Sequence, residues 1–179
     1  MDNNESILIR RILDGHDEDY SYFIERYSDS VTALVSRLVP NREDAEELVQ
    51  DAFVKGFSHL DSFLASASFH TWISRIAYRC ARSHLRRKKV RYVEIDDRTP
   101  VADSEVDEAM ADNSRTEQLR RAIDLLKPNE KTLITLYYYD DLPTKDIAYI
   151  TGMEAGTVTT QLHRIRKKLY LIMNKDNGE

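Results

Sequence analysis

Apolar residues recur at intervals of three and four positions through most of this 179-residue sequence. The segment from Asp44 to Phe57 shows the pattern clearly, with apolar residues at positions 45, 48, 49, 52, 53 and 57. Such spacing places apolar side chains on one face of an α-helix. Glycine and proline, which are frequent in turn-rich all-β folds, number only five and four. The sequence therefore predicts an all-α protein.

Breaks in the helical spacing divide the chain into helices. Gly15 and His16 have turn chemistry, and we expect an aspartate of the run Asp17–Asp19 to cap the helix that follows. Pro40 ends that helix, and the polar stretch DSFLASAS separates the next helix from one that runs from about Phe69 to Lys89. The first part of the chain is therefore predicted to be a bundle of four helices.

Residues 92–114 are acidic and have no sustained apolar period. Helical spacing resumes afterwards, with Pro128 in the first turn of a helix. We therefore predict two small helical domains, residues 1–91 and 115–179, joined by an acidic flexible linker over residues 92–114.

The net charge of -5 conceals a separation of charge along the chain. Residues 1–60 carry -7, residues 61–93 carry +7 and residues 94–112 carry -7. Blocks of opposite sign favour partners of opposite sign. A single cysteine, no secretory signal and no apolar run of about 18 residues favour a cytoplasmic protein without membrane insertion.

The C-terminal sequence TKDIAYITGMEAGTVTTQLHRI has the spacing of a helix-turn-helix. Small Ala148 allows close helix approach, Gly152 supplies the positive φ that ends the first helix, and Val158 closes the core. Outward side chains on the second helix can reach base edges or phosphates in a major groove; they are Thr157, Thr160, Gln161, Arg164, Lys167 and Lys168. An ordinary helical hairpin with a solvated face is the less favoured interpretation.

The helix from Phe69 to Lys89 carries an arginine stripe at spacings of four, three and four, made of Arg75, Arg79, Arg82 and Arg86. Thr71 and Tyr78 are expected along the stripe, whereas Phe69, Trp72 and Cys80 are expected on the buried side. Guanidinium groups with an interleaved tyrosine can hold phosphates and stack on an unpaired base. The stripe therefore favours nucleic acid over a solvated face.

The helix of residues 44–57 has the opposite polarity. Its outer side, called here the acidic face, is made of Glu43, Glu46, Glu47, Gln50 and Asp51. Such a face suits docking on a basic protein surface, and a solubilising role is about equally consistent with composition.

These segments together resemble the extracytoplasmic-function (ECF) class of bacterial RNA polymerase sigma factors. The resemblance rests on EDAEELVQDAFVKGF, FHTWISRIAYRCARSHLRR and LPTKDIAYITGMEAGTVTTQLHRIRKKL, in that order. It implies a sigma region 2 and a sigma region 4 that bind core RNA polymerase and direct transcription initiation at a promoter. It further implies an anti-sigma factor as partner, and neither a small-molecule substrate nor a cofactor or metal.

The resemblance also assigns roles by position. It implies docking on the polymerase clamp helices by Glu47, Gln50, Asp51 and Phe53, with Phe53 expected to pack. It implies capture of a flipped base of the single-stranded minus-10 element by a loop with two adjacent aromatics, namely Asp61, Ser62, Phe63, Ala65, Ser66, Ala67, Ser68, Phe69 and Trp72. It implies reading of the duplex minus-35 element by Thr157, Thr159, Thr160, Gln161, His163 and Arg164.

Two departures from the family pattern concern promoter choice. The family commonly has asparagine and aspartate where this chain has Arg79 and Ser83, and its reading helix commonly continues V-K-S-R-L where this chain has Thr159, Thr160 and Gln161. Gln161 is therefore expected to favour adenine over the guanine that an arginine would prefer.

Two other functional classes remain as alternatives. A helix-turn-helix regulator would bind duplex DNA without being a polymerase subunit, but it needs neither the arginine stripe nor the acidic face. An enzyme would need a catalytic constellation. Cys80 and His84, four residues apart on a helix, are a possible pair, but Cys80 falls on the buried face and no further His or Cys completes a site. We therefore expect no catalytic activity.

Overall fold

The computed structural model describes residues 3–64, 67–93 and 114–175. Within these ranges the secondary structure is helical, which confirms the predicted fold class. The main helices are α1 (Asn3–Leu13), α2 (Ser21–Leu38), α3 (Arg42–Ser58), α4 (Phe69–Val93), α5 (Ser114–Asp124), α6 (Pro128–Ile134), α7 (Thr144–Thr151) and α8 (Ala155–Lys175). Of the expected linker, residues 94–113 lie outside the described residues.

The N-terminal bundle, α1 to α4, is built on an aromatic core. Phe23 of α2 and Phe69 of α4 are completely buried, with ring centroids 4.1 Å apart. The Tyr20 hydroxyl donates to the Phe53 carbonyl at 2.9 Å and so ties the start of α2 to α3. A Cβ added at Gly56 would lie 2.7 Å from both Ile73 Cδ1 and the Tyr20 hydroxyl. Glycine at this position therefore permits the close approach of α3 to α4.

The start of α2 differs from the sequence prediction. Asp17–Tyr20 forms a short 3-10 turn, and no side chain caps α2, so the expected aspartate cap is wrong. Asp19 instead accepts a hydrogen bond from Arg11 Nε at 2.6 Å. The carboxylate has a cationic partner on α1, which the local sequence could not reveal. By contrast, α3 has a standard cap, because the Asn41 side chain accepts from the Asp44 amide at 2.7 Å.

The C-terminal bundle, α5 to α8, is smaller and its core is mainly aliphatic. Pro128 begins α6, and the helix passes into a π-helical turn over Thr135–Tyr139. Gly152 has φ +74° and ends α7, as its place in the sequence predicts. Val158, which the sequence places in the core of the helix-turn-helix, is buried, and it shares this core with Ile147, Ile150, Leu162, Ile165 and Leu169.

The two bundles pack on each other. Helix α7 lies against α4, and α6 lies against α2. The Arg75 guanidinium carbon lies 4.2 Å from the centroid of the Tyr149 ring, and the Arg37 guanidinium carbon lies 5.2 Å from that of Tyr139. The C-terminal bundle therefore covers part of the α4 surface.

Candidate nucleic-acid interface

The arginine stripe lies on α4 where the spacing predicts it. Arg79, Arg82 and Arg86 are exposed, whereas Arg75 is half-buried beneath Tyr149. A cleft of about 840 Å³ separates the stripe from the C-terminal bundle. Its lining contains all four arginines, together with Asn129 and the turn at Thr151–Gly152, and no carboxylate within the described part of the chain. Four guanidinium groups without acidic neighbours in the lining form a binding surface for a polyanion.

Two residues expected along the stripe are not exposed, so that expectation is wrong for them. Tyr78 borders the cleft but only 2% of its surface is accessible, since it lies at the junction of α4 with the C-terminal bundle. Thr71 is fully buried, because it takes part in capping α4: its amide donates to Ser68 Oγ at 3.1 Å, and the two hydroxyls are 2.8 Å apart. In this arrangement Tyr78 is not positioned to stack on a base.

The loop before α4 sits on an aromatic platform. Asp61 and Ser62 are exposed in a 3-10 turn, and Phe63 packs on Trp72 with ring centroids 5.2 Å apart. Phe69 and Trp72 are both buried. Ala67 and Ser68 are half-buried, and Ala65 and Ser66 lie outside the described residues.

Sequence reasoning missed Leu64 in this loop. Its side chain is 86% exposed, the most exposed large apolar residue in the described part of the chain. The two large apolar residues Phe63 and Leu64 within an otherwise small and polar stretch were the available signal. Leu64 is suited to contact a base or an apolar partner surface, because an exposed leucine gains by being covered.

The second helix of the helix-turn-helix, α8, is the predicted reading helix. Six of its expected site residues are exposed: Thr157, Thr159, Thr160, His163, Arg164 and Lys167. Gln161 is half-buried. The Thr159 and Thr160 hydroxyls donate to the carbonyls of Ala155 and Gly156, so their oxygens remain able to accept.

Lys168 differs from the other residues of the reading helix. Its Nζ donates to Glu130 Oε2 at 2.7 Å, and the same carboxylate oxygen accepts from the Lys127 amide at 2.8 Å. Burial alone raises the pKa of Glu130, but the hydrogen bonds from Lys168 and Lys127 outweigh it and leave the pKa below its ordinary value. Lys168 therefore joins α8 to the start of α6 in this structure. Of the two lysines expected to contact phosphates, Lys167 is the exposed one.

The acidic face lies on the outside of α3. Glu47, Gln50 and Asp51 are exposed, and Phe53 is buried, so its expected packing role is confirmed. An apolar groove of about 570 Å³ runs beside this face and is lined by Gln50, Phe57 and Val54, of which Val54 is 65% exposed. Carboxylates next to an exposed apolar groove form a surface suited to a protein partner with basic and apolar groups.

The two residues of the pair considered for catalysis contact different partners. Cys80 Sγ is 3.4 Å from Lys55 Nζ, whereas His84 Nε2 is 3.3 Å from Asp44 Oδ2. Among the residues that the structure describes, no three His, Cys, Asp or Glu side chains are grouped to hold a metal ion.

Comparison with known proteins gives two family matches that follow the two bundles. Residues 23–91 match sigma-70 region 2, and residues 116–169 match sigma-70 region 4. Over 176 residues the chain is 31% identical to the ECF RNA polymerase sigma-E factor of Escherichia coli (strain K12), with 92% of each chain covered. It is 28% identical over 173 residues to the ECF RNA polymerase sigma factor SigW of Bacillus subtilis (strain 168), covering 90% of this chain and 92% of that one.

Solved structures share the fold. The sigma factor RpoE of Bartonella quintana, determined with the anti-sigma factor NepR, superposes with a TM-score of 0.70 at 22% identity, covering 88% of this chain and 98% of RpoE. CnrH, determined with the cytosolic domain of CnrY, gives 0.68 at 18% identity, covering 95% of this chain and 97% of CnrH. No helix in the described ranges has the length and apolar character needed to span a bilayer.

Proposed function

Since the chain belongs to the ECF class of the sigma-70 family, we propose how its surfaces divide the work of an alternative sigma factor, a subunit that directs RNA polymerase to specific promoters. The N-terminal bundle, residues 1–91, holds core polymerase and the minus-10 element. The C-terminal bundle, residues 115–179, reads the minus-35 element. Residues 92–114 join them. The family is not an enzyme class, and we assign this chain no catalytic residue.

The observation that supports this proposal best is the presence of three different surfaces in one chain. The acidic face and its groove suit a protein, the arginine stripe suits single-stranded DNA, and the exposed side of α8 suits a major groove. A regulator that bound duplex DNA alone would need only the last of these. Contacts at two promoter elements by one tethered chain also strengthen binding, because the second contact is intramolecular.

In the proposed mechanism, Glu47, Gln50 and Asp51 dock on the clamp helices of polymerase, and Phe53 supports them from the core. The loop of residues 61–68, which Trp72 supports from the core, then holds a flipped minus-10 base while Arg79, Arg82 and Arg86 bind phosphates of the melted strand. Thr157, Thr159, Thr160, Gln161, His163 and Arg164 contact minus-35 base edges or nearby phosphates, and Lys167 contacts the backbone.

The proposed site of action and partners follow from this mechanism. The chain works in the cytoplasm, where polymerase and the chromosome are. An anti-sigma factor that covers the polymerase-binding or DNA-binding surfaces would hold it inactive, and the complex of RpoE with NepR provides the precedent within the fold.

Run-off transcription tests the function directly. Purified core polymerase is assayed on a genomic promoter library with and without the chain. We expect new, discrete transcripts that appear only with the chain. Addition of the chain without new transcripts would contradict the proposal.

Permanganate footprinting of unpaired thymines tests the role of the arginine stripe. The double variant Arg79→Ala/Arg82→Ala should reduce minus-10 melting by about tenfold or more, because two phosphate contacts are lost. Arg87→Ala/Lys88→Ala, which removes two exposed cations of the same helix outside the stripe, serves as the charge-matched control. Equal melting by both variants would contradict the assignment of the stripe.

Binding to core polymerase tests the acidic face. Glu47→Lys should weaken association with the core by about tenfold, because it reverses a charge at the proposed contact. Glu18→Lys makes the same change on the turn before α2 and should leave association unchanged. Fluorescence anisotropy of labelled chain with core polymerase measures both.

A further inference from the structure

The packing of the two bundles affects one end of the arginine stripe more than the other. Arg75 is half-buried with its guanidinium group 4.2 Å from the Tyr149 ring centroid, a distance at which a cation and a ring attract each other. Arg79, Arg82 and Arg86 are exposed and face the open cleft. The stripe is therefore covered at its start and accessible along the rest.

This arrangement conflicts with full use of the stripe by DNA. From Arg75 to Arg86 the helix rises about 16 Å, a length that two or three nucleotides of an extended strand would follow. A strand along the whole stripe would run into α7 at Tyr149. Arg75 therefore contacts Tyr149 in one arrangement of the bundles and a phosphate or base in another.

We propose that the start of the stripe, around Arg75, is a docking surface with two mutually exclusive occupants, the C-terminal bundle of the same chain and single-stranded promoter DNA. Tyr149 is the residue that makes them compete. The inference rests on the proposed role of the stripe in binding unpaired DNA. By linkage, DNA that engages Arg75 separates the bundles, and whatever separates the bundles strengthens DNA binding by the same factor.

The strength of the Arg75–Tyr149 contact sets the expected change in affinity for single-stranded DNA. A cation–π pair at a partly exposed position changes an equilibrium by about two- to fivefold. A further contact between the bundles, Arg37 over Tyr139, does not involve the stripe. The Arg75–Tyr149 contact by itself is therefore a modest brake on DNA binding, which acts in addition to the packing of α7 on α4.

A double-mutant cycle tests the competition with the full chain. Anisotropy of a labelled single-stranded oligonucleotide measures the affinities of wild type, Tyr149→Ala, Arg75→Ala and the double variant. We expect Tyr149→Ala to bind about threefold more tightly than wild type. Arg75→Ala should change the affinity little in wild type, because it removes both the DNA contact and the brake, but should weaken binding by about threefold or more in the Tyr149→Ala background.

Tyr149→Phe is the matched control, since it retains the ring and should bind as wild type does. If Tyr149→Ala binds no more tightly than wild type, and Arg75→Ala has the same effect in both backgrounds, the competition is excluded. Thermal unfolding by circular dichroism checks that the variants retain the helix content of wild type.

A distance measurement covers the case in which Tyr149→Ala does not fold. Dyes are attached through Ser58→Cys on α3 and Tyr170→Cys on α8, two exposed positions, in a Cys80→Ser chain. Saturation with the oligonucleotide should lengthen the distance between the dyes. An unchanged distance at saturation would overturn the proposal.

Failure of this inference differs from failure of the proposed function. A chain that supports promoter-specific transcription but shows neither the coupling nor the change in distance retains its function and lacks the competition. A chain that binds no oligonucleotide in any variant contradicts the role of the stripe, and the competition is rejected with it.

Discussion

The two proposed DNA-binding surfaces of this chain differ in their accessibility. The reading side of α8 is exposed along most of its length, whereas the arginine stripe on α4 is partly covered by the other bundle. Both were assigned from the same kind of pattern, polar residues on one face of a helix. The comparison shows that periodicity identifies the outer face of a helix within its own bundle, but not whether a second bundle lies on it.

The supporting cores differ as well. The N-terminal bundle places α4 on buried aromatic rings, and the C-terminal bundle places α8 on aliphatic side chains and on an ion pair to α6. Large rings provide more buried area per residue, so the N-terminal bundle depends more strongly on single side chains.

The largest expected effect is a cavity in the aromatic core. Phe69→Ala should destabilise the N-terminal bundle by about 3–5 kcal/mol. Leu136→Ala is the matched change in the C-terminal core and should cost about 2–5 kcal/mol there. Amide hydrogen exchange, followed separately for the two bundles, measures the loss of stability in each. If Phe69→Ala lowers protection equally in both bundles, the bundles unfold as one unit. The aromatic and aliphatic cores then do not give the bundles separate free energies of unfolding.

A change in base preference is the next effect in size. Gln161→Arg should shift the preference at one minus-35 position from adenine towards guanine by about tenfold. Lys167→Ala should instead weaken binding to all sequences alike, because a phosphate contact carries no base information. A base-substitution scan of the minus-35 element distinguishes the two, and a scan that Gln161→Arg leaves unaltered would remove Gln161 from the reading surface.

The ion pair that joins α8 to α6 should contribute less. Glu130→Gln is expected to cost under about 1 kcal/mol, because both side chains are partly solvated and screened. The folded-state pKa of Glu130 is depressed, so its contribution is present above the ordinary value of 4.5 and is lost as the pH falls through the folded pKa. Urea unfolding at about pH 7 and at progressively lower pH measures it. Glu117→Gln, which breaks the more exposed pair with Arg121, should have a smaller effect.

The smallest effect concerns the pH dependence of stability. Burial lowers the pKa of His70 below its ordinary 6.5, and the carboxylates of Asp140, Glu5 and Asp146 partly oppose this shift. Because the folded state favours the neutral imidazole, the full stability is present above pH 6.5 and decreases as the pH falls below that value. Burial raises the pKa of Asp140 above 3.8, so that its own contribution increases on acidification.

Comparison of thermal unfolding at about pH 7.5 and about pH 5.5 tests the contribution of His70. Wild type should lose more stability on acidification than His70→Gln, in which the titrating group is removed. The same loss in both proteins would show that titration of His70 does not contribute to the pH dependence of stability.

The helices and the turn of the helix-turn-helix could be predicted because their causes are local. Apolar spacing determines which side of a helix is buried, and the positive φ at Gly152 follows from the need to end α7 tightly before α8. The same applies to the arginine stripe, since positions 75, 79, 82 and 86 must share a face of any helix that contains them. The outward position of Arg79, Arg82 and Arg86 was therefore accessible from sequence.

The features that could not be predicted depend on residues distant in the chain. Asp19 pairs with Arg11 and does not cap α2, Lys168 pairs with Glu130 at a separation of 38 residues, and Tyr78 and Arg75 meet the other bundle. None of these partners is implied by local spacing.

The sequence by itself determined the helical fold, the order of the surfaces and the chemistry of each, because helix periodicity and side-chain type are properties of short segments. The tertiary structure alone decided which members of those surfaces are accessible. Packing between the bundles buries Tyr78 and places Tyr149 over Arg75, and such contacts arise only when two helices distant in sequence meet in space.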